Sequence, residues 1–191
     1  MNIKNEGILH IGCFGAIRNL KNHVNQALAS IRTADYHDLT LYFHVNATRS
    51  EGPGSESLLK NLRAIFKDTD HTLVEHPWLK HKELLELMPT MDILVQASLT
   101  ETFNITCADA VITGVPVVAS AQVDWLHNSY SKVPNPNDMT DIFLALNQIL
   151  TLEPEKYEKL LDQQLISLNK YNDKSREIWL AWVYKDKQQN F

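Results

Sequence analysis

The sequence is poor in the residues that build disulfide-rich or low-complexity proteins. It contains 2 cysteines and 6 glycines among 191 residues. Cys13 and Cys107 lie in separate apolar segments, where small buried thiols are common, so no disulfide framework is expected and a reducing, cytoplasmic location fits. The low glycine content in an otherwise ordinary composition argues against collagen-like and low-complexity chains.

Long hydrophobic runs and an excess of positive charge are also absent. No apolar run approaches the roughly 20 residues that span a bilayer, and the polar start at residues 1–6 lacks the hydrophobic region of a signal peptide. The chain has 18 Lys and Arg against 23 Asp and Glu, a formal net charge of −5. Because such a chain lacks the positive field that a phosphate backbone demands, we do not expect a nucleic-acid partner. The absence of a long apolar run predicts no transmembrane segment.

The composition that remains is that of a globular protein. Hydrophobic residues make up 44% of the chain, and a chain of this length buries roughly 70% of its unfolded surface. We therefore expect residues 1–191 to form a single domain with a sizeable core.

Apolar segments of strand length alternate with helical patterns through the first two thirds of the chain. A mostly apolar run at residues 7–14 ends in Gly15 and precedes a helical pattern at 21–34, and the unit then repeats. The further predicted strands are 39–45, 71–75, 92–97 and 115–119, and the further predicted helices are 55–66, 82–88 and 104–112. This alternation predicts an α/β fold, a Rossmann-like parallel sheet with helices on both faces.

The chain changes character from about residue 138, where no strand pattern is visible. Asp138 is a candidate cap for a helix to about residue 150, and a second helical pattern runs from 153 to about 168. A third begins at Asp173 or Ser175. It carries Trp179 and Trp182 at helical spacing, which is typical of packing residues.

The loop after the first strand offers two cations beside a helix start. After Gly12 and Gly15 there is no third glycine at the spacing of the dinucleotide fingerprint. Arg18 and Lys21 could hold a diphosphate, or they could be solvated residues of a surface turn.

The loop after the fourth strand is richer. Glu101 ends a buried strand and Asp109 follows on the next helix, with the amides of Phe103, Asn104 and Ile105 at the helix entrance. One interpretation is two acids that contact a ligand, with amides between them for phosphate. In the other, Glu101 complements the helix dipole and Asp109 is a solvated helix residue.

Together these residues resemble the C-terminal, nucleotide-sugar-binding lobe of the group 1 glycosyltransferases, family 4, which have the GT-B fold. Gly15-Ala-Ile-Arg-Asn-Leu-Lys21 corresponds to the family's first-loop motif, and Glu101-Thr-Phe-Asn104 with Asp109 to its motif of two acids separated by seven residues. Gly114-Val-Pro-Val-Val118 corresponds to the strand that follows. The order and intervals match over roughly residues 8–150.

The resemblance implies a role for each matching residue. Lys21, on the loop that begins at Gly15, would bind the donor phosphate, and Glu101 would contact the donor sugar as the catalytic carboxylate. The amides of residues 103–105 would lie near sugar and phosphate, and Asp109 would bind the ribose hydroxyls. The loop His76-Pro-Trp78-Leu79 would hold the base, largely through backbone groups.

Four positions depart from the family pattern. Ala16 stands where the family has arginine, and we expect Arg18 to take over its phosphate contact. Asp109 is one methylene shorter than the usual glutamate. Thr102 and Asn104 replace glycines, so the loop is expected to be stiffer and to avoid backbone conformations that only glycine tolerates.

The function that follows is the donor-binding lobe of a retaining, metal-independent glycosyltransferase. Its donor would be a nucleoside-diphosphate sugar, a UDP-sugar first and a GDP-sugar second, with no cofactor and no metal. Because the chain supplies one lobe, an acceptor-binding lobe or partner chain is expected to complete the enzyme. A non-catalytic nucleotide-sugar-binding module and another GT-B-fold enzyme, such as a sugar-nucleotide epimerase, remain as alternatives.

Three further patterns could suggest metal or donor sites. Asp68-Thr-Asp70 looks like a metal-binding acidic pair, but we expect it in a turn at the opposite end of the sheet. His71, His76 and His81 recur every five residues across a strand and a loop, which does not favour one shared ion. His127 follows the fifth strand, where it could reach the donor pocket or be a solvated loop residue.

Overall fold

The computed structural model describes residues 1–126 and 130–189, with side chains up to residue 183. Its centre is a 6-stranded sheet with the strand order β3-β2-β1-β4-β5-β6, in which every pairing of neighbouring strands is parallel. The strands are β1 Ile8–Cys13, β2 Thr40–Asn46, β3 Thr72–His76, β4 Ile93–Gln96, β5 Val117–Ser120 and β6 Lys132–Val133.

Helices connect the strands and form a C-terminal tail. They are α1 His23–Tyr36, α2 Ser55–Lys67, α3 His81–Leu87, α4 Ile105–Ile112, α5 Met139–Leu150 and α6 Pro154–Gln189. Asp138 caps α5 as expected, because its Oδ1 accepts a hydrogen bond from the Thr140 amide at 2.8 Å. The predicted Rossmann-like class, with a helical tail from about residue 138, is confirmed.

The sheet divides the interior into two apolar clusters. One contains side chains of α1, α2 and α5, among them Ala27, Leu62 and Leu146. The other contains Met88, Cys107 of α4 and Leu168 of α6. Strands β4 and β5 are buried along their whole length, as expected for strands covered on both faces.

The structure adds one strand to the five that the sequence predicts, and it joins two of the predicted helices. A sixth strand, the two-residue β6, pairs with the end of β5; it is too short to leave a hydrophobic pattern in the sequence. The helices expected at 153–168 and from about 173 are one 36-residue helix, α6. No proline or glycine interrupts the sequence from 155 to 189, so nothing in the covalent chain requires a break.

The two tryptophans of α6 do not pack as expected. Trp179 is 60% exposed and Trp182 is 65% exposed. Their spacing is helical, but most residues of α6 from 171 to 183 are exposed. A spacing of three residues places two side chains on one helix face and does not supply a surface to cover that face.

Candidate functional site

The strand order places the candidate site. Along the chain β1, β2 and β3 proceed in one direction, and β4 returns to the other side of β1. The loops after β1 and β4 therefore leave the sheet in opposite directions, which opens a crevice at their carboxyl ends. Ligands of open parallel sheets bind at such a switch point. The two loops that meet there are the ones that carry Lys21 and Glu101.

Lys21 and Glu101 form an ion pair at this point. The Lys21 ammonium contacts Oε1 of Glu101 and lies 3.4 Å from Oε1 of Gln96. Both charged side chains are largely buried, with exposed fractions of 11% for Lys21 and 7% for Glu101. Glu101 thus forms an ion pair with a cation, in addition to any interaction with the dipole of the next helix.

Arg18 lies at the rim of the same pair. Its Nη2 is 4.0 Å from Oε1 of Glu101, and its side chain is 41% exposed. A groove of about 340 Å³ lies beside it, lined also by Glu51 and Pro53 from the loop after β2. The structure therefore brings Arg18 close to the carboxylate that Lys21 contacts.

Gly15 shapes the first loop. Its φ of +124° is a conformation that residues with a side chain rarely adopt, and a Cβ there would lie 3.7 Å from Cε of Lys21. Its amide donates to Oδ1 of Asn46 at 2.9 Å, and Nδ2 of Asn46 donates to the Pro77 carbonyl at 3.2 Å. One buried asparagine therefore ties together the loops after β1, β2 and β3.

Asn104 has a positive φ in the loop after β4. Its φ is +56°, in the left-handed region, which is not restricted to glycine. Asparagine tolerates this region better than most residues. Its Oδ1 accepts from the Cys107 amide at 3.1 Å to cap α4, and its Nδ2 donates to Oε1 of Gln96 at 3.2 Å. Thr102 does avoid positive φ.

The helix entrance has amide groups that the protein does not use. Within residues 1–126 and 130–189, the amides of Phe103, Asn104 and Ile105 donate to no protein acceptor. The Phe103 carbonyl accepts from Nε1 of Trp125 at 2.5 Å, and its ring lies 5.3 Å from that of Tyr171 on α6. Trp125 and Tyr171 thus contact Phe103 of the loop, while the amides of the loop remain available to an anion.

Asp109 is buried, so the interpretation of it as a solvated helix residue was wrong. Its exposed fraction is 5%. Oδ1 of Asp109 lies 3.0 Å from Nε2 of His81, the first residue of α3. His81 was expected only as one of three spaced histidines, so its contact with Asp109 is a site feature that the sequence analysis missed.

Trp78 projects from the loop after β3 and is 47% exposed. The guanidinium carbon of Arg49 lies 4.4 Å from the centre of the Trp78 ring. The backbone amide of Trp78 donates to Oγ1 of Thr48 at 2.8 Å. The loop after β2 therefore orients Trp78.

Four buried side-chain atoms have no hydrogen-bond partner in the described part of the chain, and all belong to segments that follow or end a strand at the carboxyl edge. They are Nε of Arg18, Nδ1 of His23, Oγ of Ser98 and Oγ of Ser120. Buried polar atoms without partners are uncommon in native proteins.

Burial, with the charges of Lys21 and Arg18, lowers the pKa of His23 to about 4, so this imidazole is neutral near pH 7.

The remaining patterns lie away from this crevice. Asp68 and Asp70 are in the exposed turn between α2 and β3, at the amino end of β3 as expected. The three spaced histidines have different partners: His71 contacts Asp35, His76 contacts His44 and His81 contacts Asp109. His127 lies outside the described residues.

The described residues form neither a metal cluster nor a membrane-spanning helix. In that part of the chain, no group of three or more His, Cys, Asp and Glu side chains is arranged to hold a metal ion. The helices described there include none long and apolar enough to cross a membrane. Cys13 and Cys107 are buried free thiols, and burial raises the pKa of both.

Comparisons with known proteins find likeness in structure alone. No protein-family profile and no curated protein sequence matches the chain. The catalytic domain of cholesterol-α-glucosyltransferase from Helicobacter pylori superposes with a TM-score of 0.65 at 18% identity, covering 85% of this chain and 98% of that one. The C-terminal domain of a group 1 glycosyltransferase from Francisella tularensis gives 0.69 at 20% identity, covering 85% of this chain and 86% of that one.

A third group of similar structures is about twice as long. The UDP-forming trehalose-phosphate synthase from Burkholderia xenovorans gives a TM-score of 0.73 at 16% identity, covering 92% of this chain and 44% of that one. This chain therefore spans less than half of that enzyme's length. At such identities the likeness establishes architecture. The chain has the fold of one Rossmann-like lobe of the GT-B glycosyltransferases.

Proposed function

We propose that this chain is the donor-binding lobe of a retaining, metal-independent glycosyltransferase whose donor is a nucleoside-diphosphate sugar. The observation that carries the proposal is the meeting of Lys21 with Glu101 at the switch point of the sheet. Unused amides at the start of α4 lie on the same loop as Glu101. A cation, a carboxylate and unpaired donors are the groups that a phosphorylated sugar requires.

Binding of the donor would break the ion pair between Lys21 and Glu101. Lys21 contacts Glu101 in the structure, and a diphosphate competes for the same ammonium group. Once Lys21 turns to phosphate, Glu101 is free to accept hydrogen bonds from sugar hydroxyls. Arg18, 4.0 Å from Glu101, supplies a second cation at the rim.

The same groups assist departure of the nucleoside diphosphate. Negative charge grows on the leaving phosphate as the glycosidic bond breaks. In the bound complex Lys21, Arg18 and the amides of residues 103–105 already face the phosphate before this charge develops. Each well-placed charged donor stabilises such a transition state by about 2 to 4 kcal/mol. No metal ion is then needed to neutralise the diphosphate.

The nucleoside lies beside the loops after β3 and β4 in this proposal. Asp109 accepts hydrogen bonds from ribose hydroxyls, and the backbone of residues 76–79 with Trp78 holds the base. A UDP-sugar is the first choice and a GDP-sugar the second. The chain of residues 1–191 acts as one domain, and the acceptor binds to another lobe or a partner chain.

Titration of the chain with nucleotides tests the proposal. We expect UDP or GDP to raise the melting temperature and to bind far more tightly than uridine or guanosine, because most of the contacts go to phosphate. Binding of nucleoside and nucleoside diphosphate with equal affinity, or of neither, would overturn it.

An activity measurement separates the functional classes. The chain is incubated with UDP-glucose, and sugar and nucleotide are followed by NMR. Epimerised sugar would show the other enzyme class. Binding without transfer is expected of an isolated donor lobe. If addition of an acceptor-binding lobe never produces transfer, the chain is a non-catalytic binding module.

A further inference from the structure

Gln96 is a buried amide at the carboxyl end of β4 that reaches the loops on both sides of the crevice. It is the last residue of β4 and is 1% exposed. Its Nε2 donates to the carbonyl of Phe14, the residue directly after β1, at 2.8 Å. The nitrogen is the only donor of a glutamine side chain, so this bond fixes the orientation of the amide.

The oxygen of the same amide accepts from two different loops. Nδ2 of Asn104 lies 3.2 Å from Oε1 of Gln96, and the ammonium of Lys21 lies 3.4 Å from it. The orientation of Asn104 is fixed as well, because its own oxygen accepts from the Cys107 amide. Oriented amides therefore connect the start of α4 to the end of β1, and Lys21 joins them at Gln96.

The two acceptors of the Lys21 ammonium differ in charge. Glu101 is a carboxylate, whereas Gln96 is neutral and holds the ammonium without cancelling its charge. An ammonium group has three donors, so Lys21 can contact Gln96 and a phosphate at the same time. Gln96 can therefore retain Lys21 after a diphosphate has displaced Glu101.

A second glutamine fixes the main chain of Lys21. Nε2 of Gln26 donates to the Lys21 carbonyl at 2.6 Å, and Oε1 of Gln26 accepts from the Ala97 amide at 2.9 Å. The main chain of Lys21 is thus attached to the end of β4 without the Gln96 side chain. Removal of the Gln96 amide should release the end of the Lys21 side chain and leave its main chain in place.

We infer that Gln96 is a positioning residue, which holds the Lys21 ammonium beside the start of α4 for the diphosphate of the donor. This inference rests on the proposed function, because it takes Lys21 as a phosphate ligand. Gln96 contacts no part of the donor and acts through Lys21. The competing route runs through Asn104, by which Gln96 would affect the amides at the start of α4 instead.

A double-mutant cycle separates these routes. Its variants are Gln96→Met, Lys21→Ala and the two combined, since methionine fills similar space without an amide. The matched control is Gln164→Met. Gln164 is also 1% exposed, and its amide bonds to both backbone groups of Val117, at the amino end of β5. Calorimetric titration with UDP and urea unfolding are measured for each variant.

We expect Gln96→Met to weaken UDP by about two- to tenfold where Lys21 is present, the effect of one hydrogen bond. In the Lys21→Ala background it should cause no further loss, because the group that it positions is gone. Both methionine variants should lose stability, since buried partners are left unpaired. Gln164→Met should nevertheless bind UDP as the parent does.

The possible failures are distinguishable. A parent chain that binds no nucleoside diphosphate would overturn the proposed function, and the role of Gln96 with it. If the parent binds UDP and Gln96→Met binds it equally well, only the role of Gln96 is wrong. Equal weakening with and without Lys21 would assign the effect to Asn104 and α4. Equal weakening by Gln164→Met would assign it to stability alone, and either result overturns the inference.

Discussion

The Lys21 ammonium contacts Oε1 of Glu101, although the two residues are 80 positions apart in the sequence. Both side chains are nearly buried. Removal of one partner of such a pair leaves an uncompensated buried charge. A single substitution at either residue therefore changes stability as well as binding, so each binding measurement requires an unfolding measurement beside it.

Lys21→Ala should weaken binding of the nucleoside diphosphate by roughly 1.5 to 3 kcal/mol, the range for hydrogen bonds to charged groups. It should also destabilise the fold, because Glu101 is left unpaired. Adding Glu101→Gln should restore stability without restoring affinity for the free diphosphate. Calorimetric titration and urea unfolding measure the two effects. Equal affinity of Lys21→Ala and parent for UDP and GDP would remove Lys21 from the site.

Arg18→Ala is a separate test of the substitute cation. Arg18 is at the rim and 41% exposed, so its loss should weaken the diphosphate by less than the loss of Lys21. The unfolding free energy should change little, since exposed ion pairs contribute about 0 to 1 kcal/mol. Unchanged diphosphate affinity would mean that Arg18 does not replace the arginine expected at Ala16.

Glu101→Gln and Asp109→Ala should affect different ligands. Glu101→Gln should lower affinity for the nucleotide-sugar relative to the free diphosphate, because the carboxylate serves the sugar, whereas the diphosphate no longer competes with Glu101 for the Lys21 ammonium. Asp109→Ala should weaken both ligands alike, by about 1.5 to 3 kcal/mol, because it removes a ribose contact. Titration of both variants with UDP and UDP-glucose measures the difference. Normal binding of UDP by Asp109→Ala would refute the ribose contact.

Donor binding should persist in a chelator. Asp68 and Asp70 lie at the amino end of β3, on the side of the sheet away from Lys21 and Glu101, so Asp68→Ala and Asp70→Ala should change affinity little. The measurement is the affinity for UDP in EDTA and in manganese or magnesium. Strict dependence on either metal would contradict the metal-independent mechanism.

Stability should fall as the solution is acidified below about pH 6.5. Burial, followed by the neighbouring His76 and His10, lowers the pKa of His44 to about 3, and the pKa of His23 is lowered to about 4. The unfolded chain binds these protons near pH 6.5 and the folded chain does not. The stabilisation is therefore complete above pH 6.5 and is lost between there and about pH 4 for His23 and about pH 3 for His44, at about 1.4 kcal/mol per pH unit for each histidine.

Urea unfolding across this pH range measures that slope. His44→Gln should flatten it, since one of the histidines whose pKa is lowered by burial no longer contributes. A parent protein whose unfolding free energy is constant from pH 7 to pH 5 would contradict the buried, neutral state of both histidines.

Asn104 should tolerate glycine better than alanine. Asn104→Ala loses the side-chain cap of α4, which costs about 1 kcal/mol, and places alanine at a φ of +56°, which costs roughly another 1 to 2 kcal/mol. Asn104→Gly keeps the backbone conformation at little cost. In urea unfolding, Asn104→Gly should therefore be more stable than Asn104→Ala. A less stable glycine variant would show that the left-handed φ does not explain the asparagine at this position.

The sequence by itself predicted the class of the fold and the main elements of its sheet. Buried parallel strands leave apolar runs, and amphipathic helices leave a regular spacing, so β1 to β5 and α1 to α5 lie within a few residues of their expected positions. The loops that carry Lys21 and Glu101 could be named as well, because the ends of strands are visible in the pattern and ligands of such sheets bind beyond them.

Only the tertiary structure decided which side chains meet. The pairing of Lys21 with Glu101 and of His81 with Asp109 depends on the strand order and on the crossing of α3 from β3 to β4, neither of which has a local signature. The exposure of Trp179 and Trp182 likewise depends on which parts of α6 other segments cover. Periodicity records which residues share a face of a helix or strand, whereas the partner of that face is fixed by contacts between segments distant in the chain.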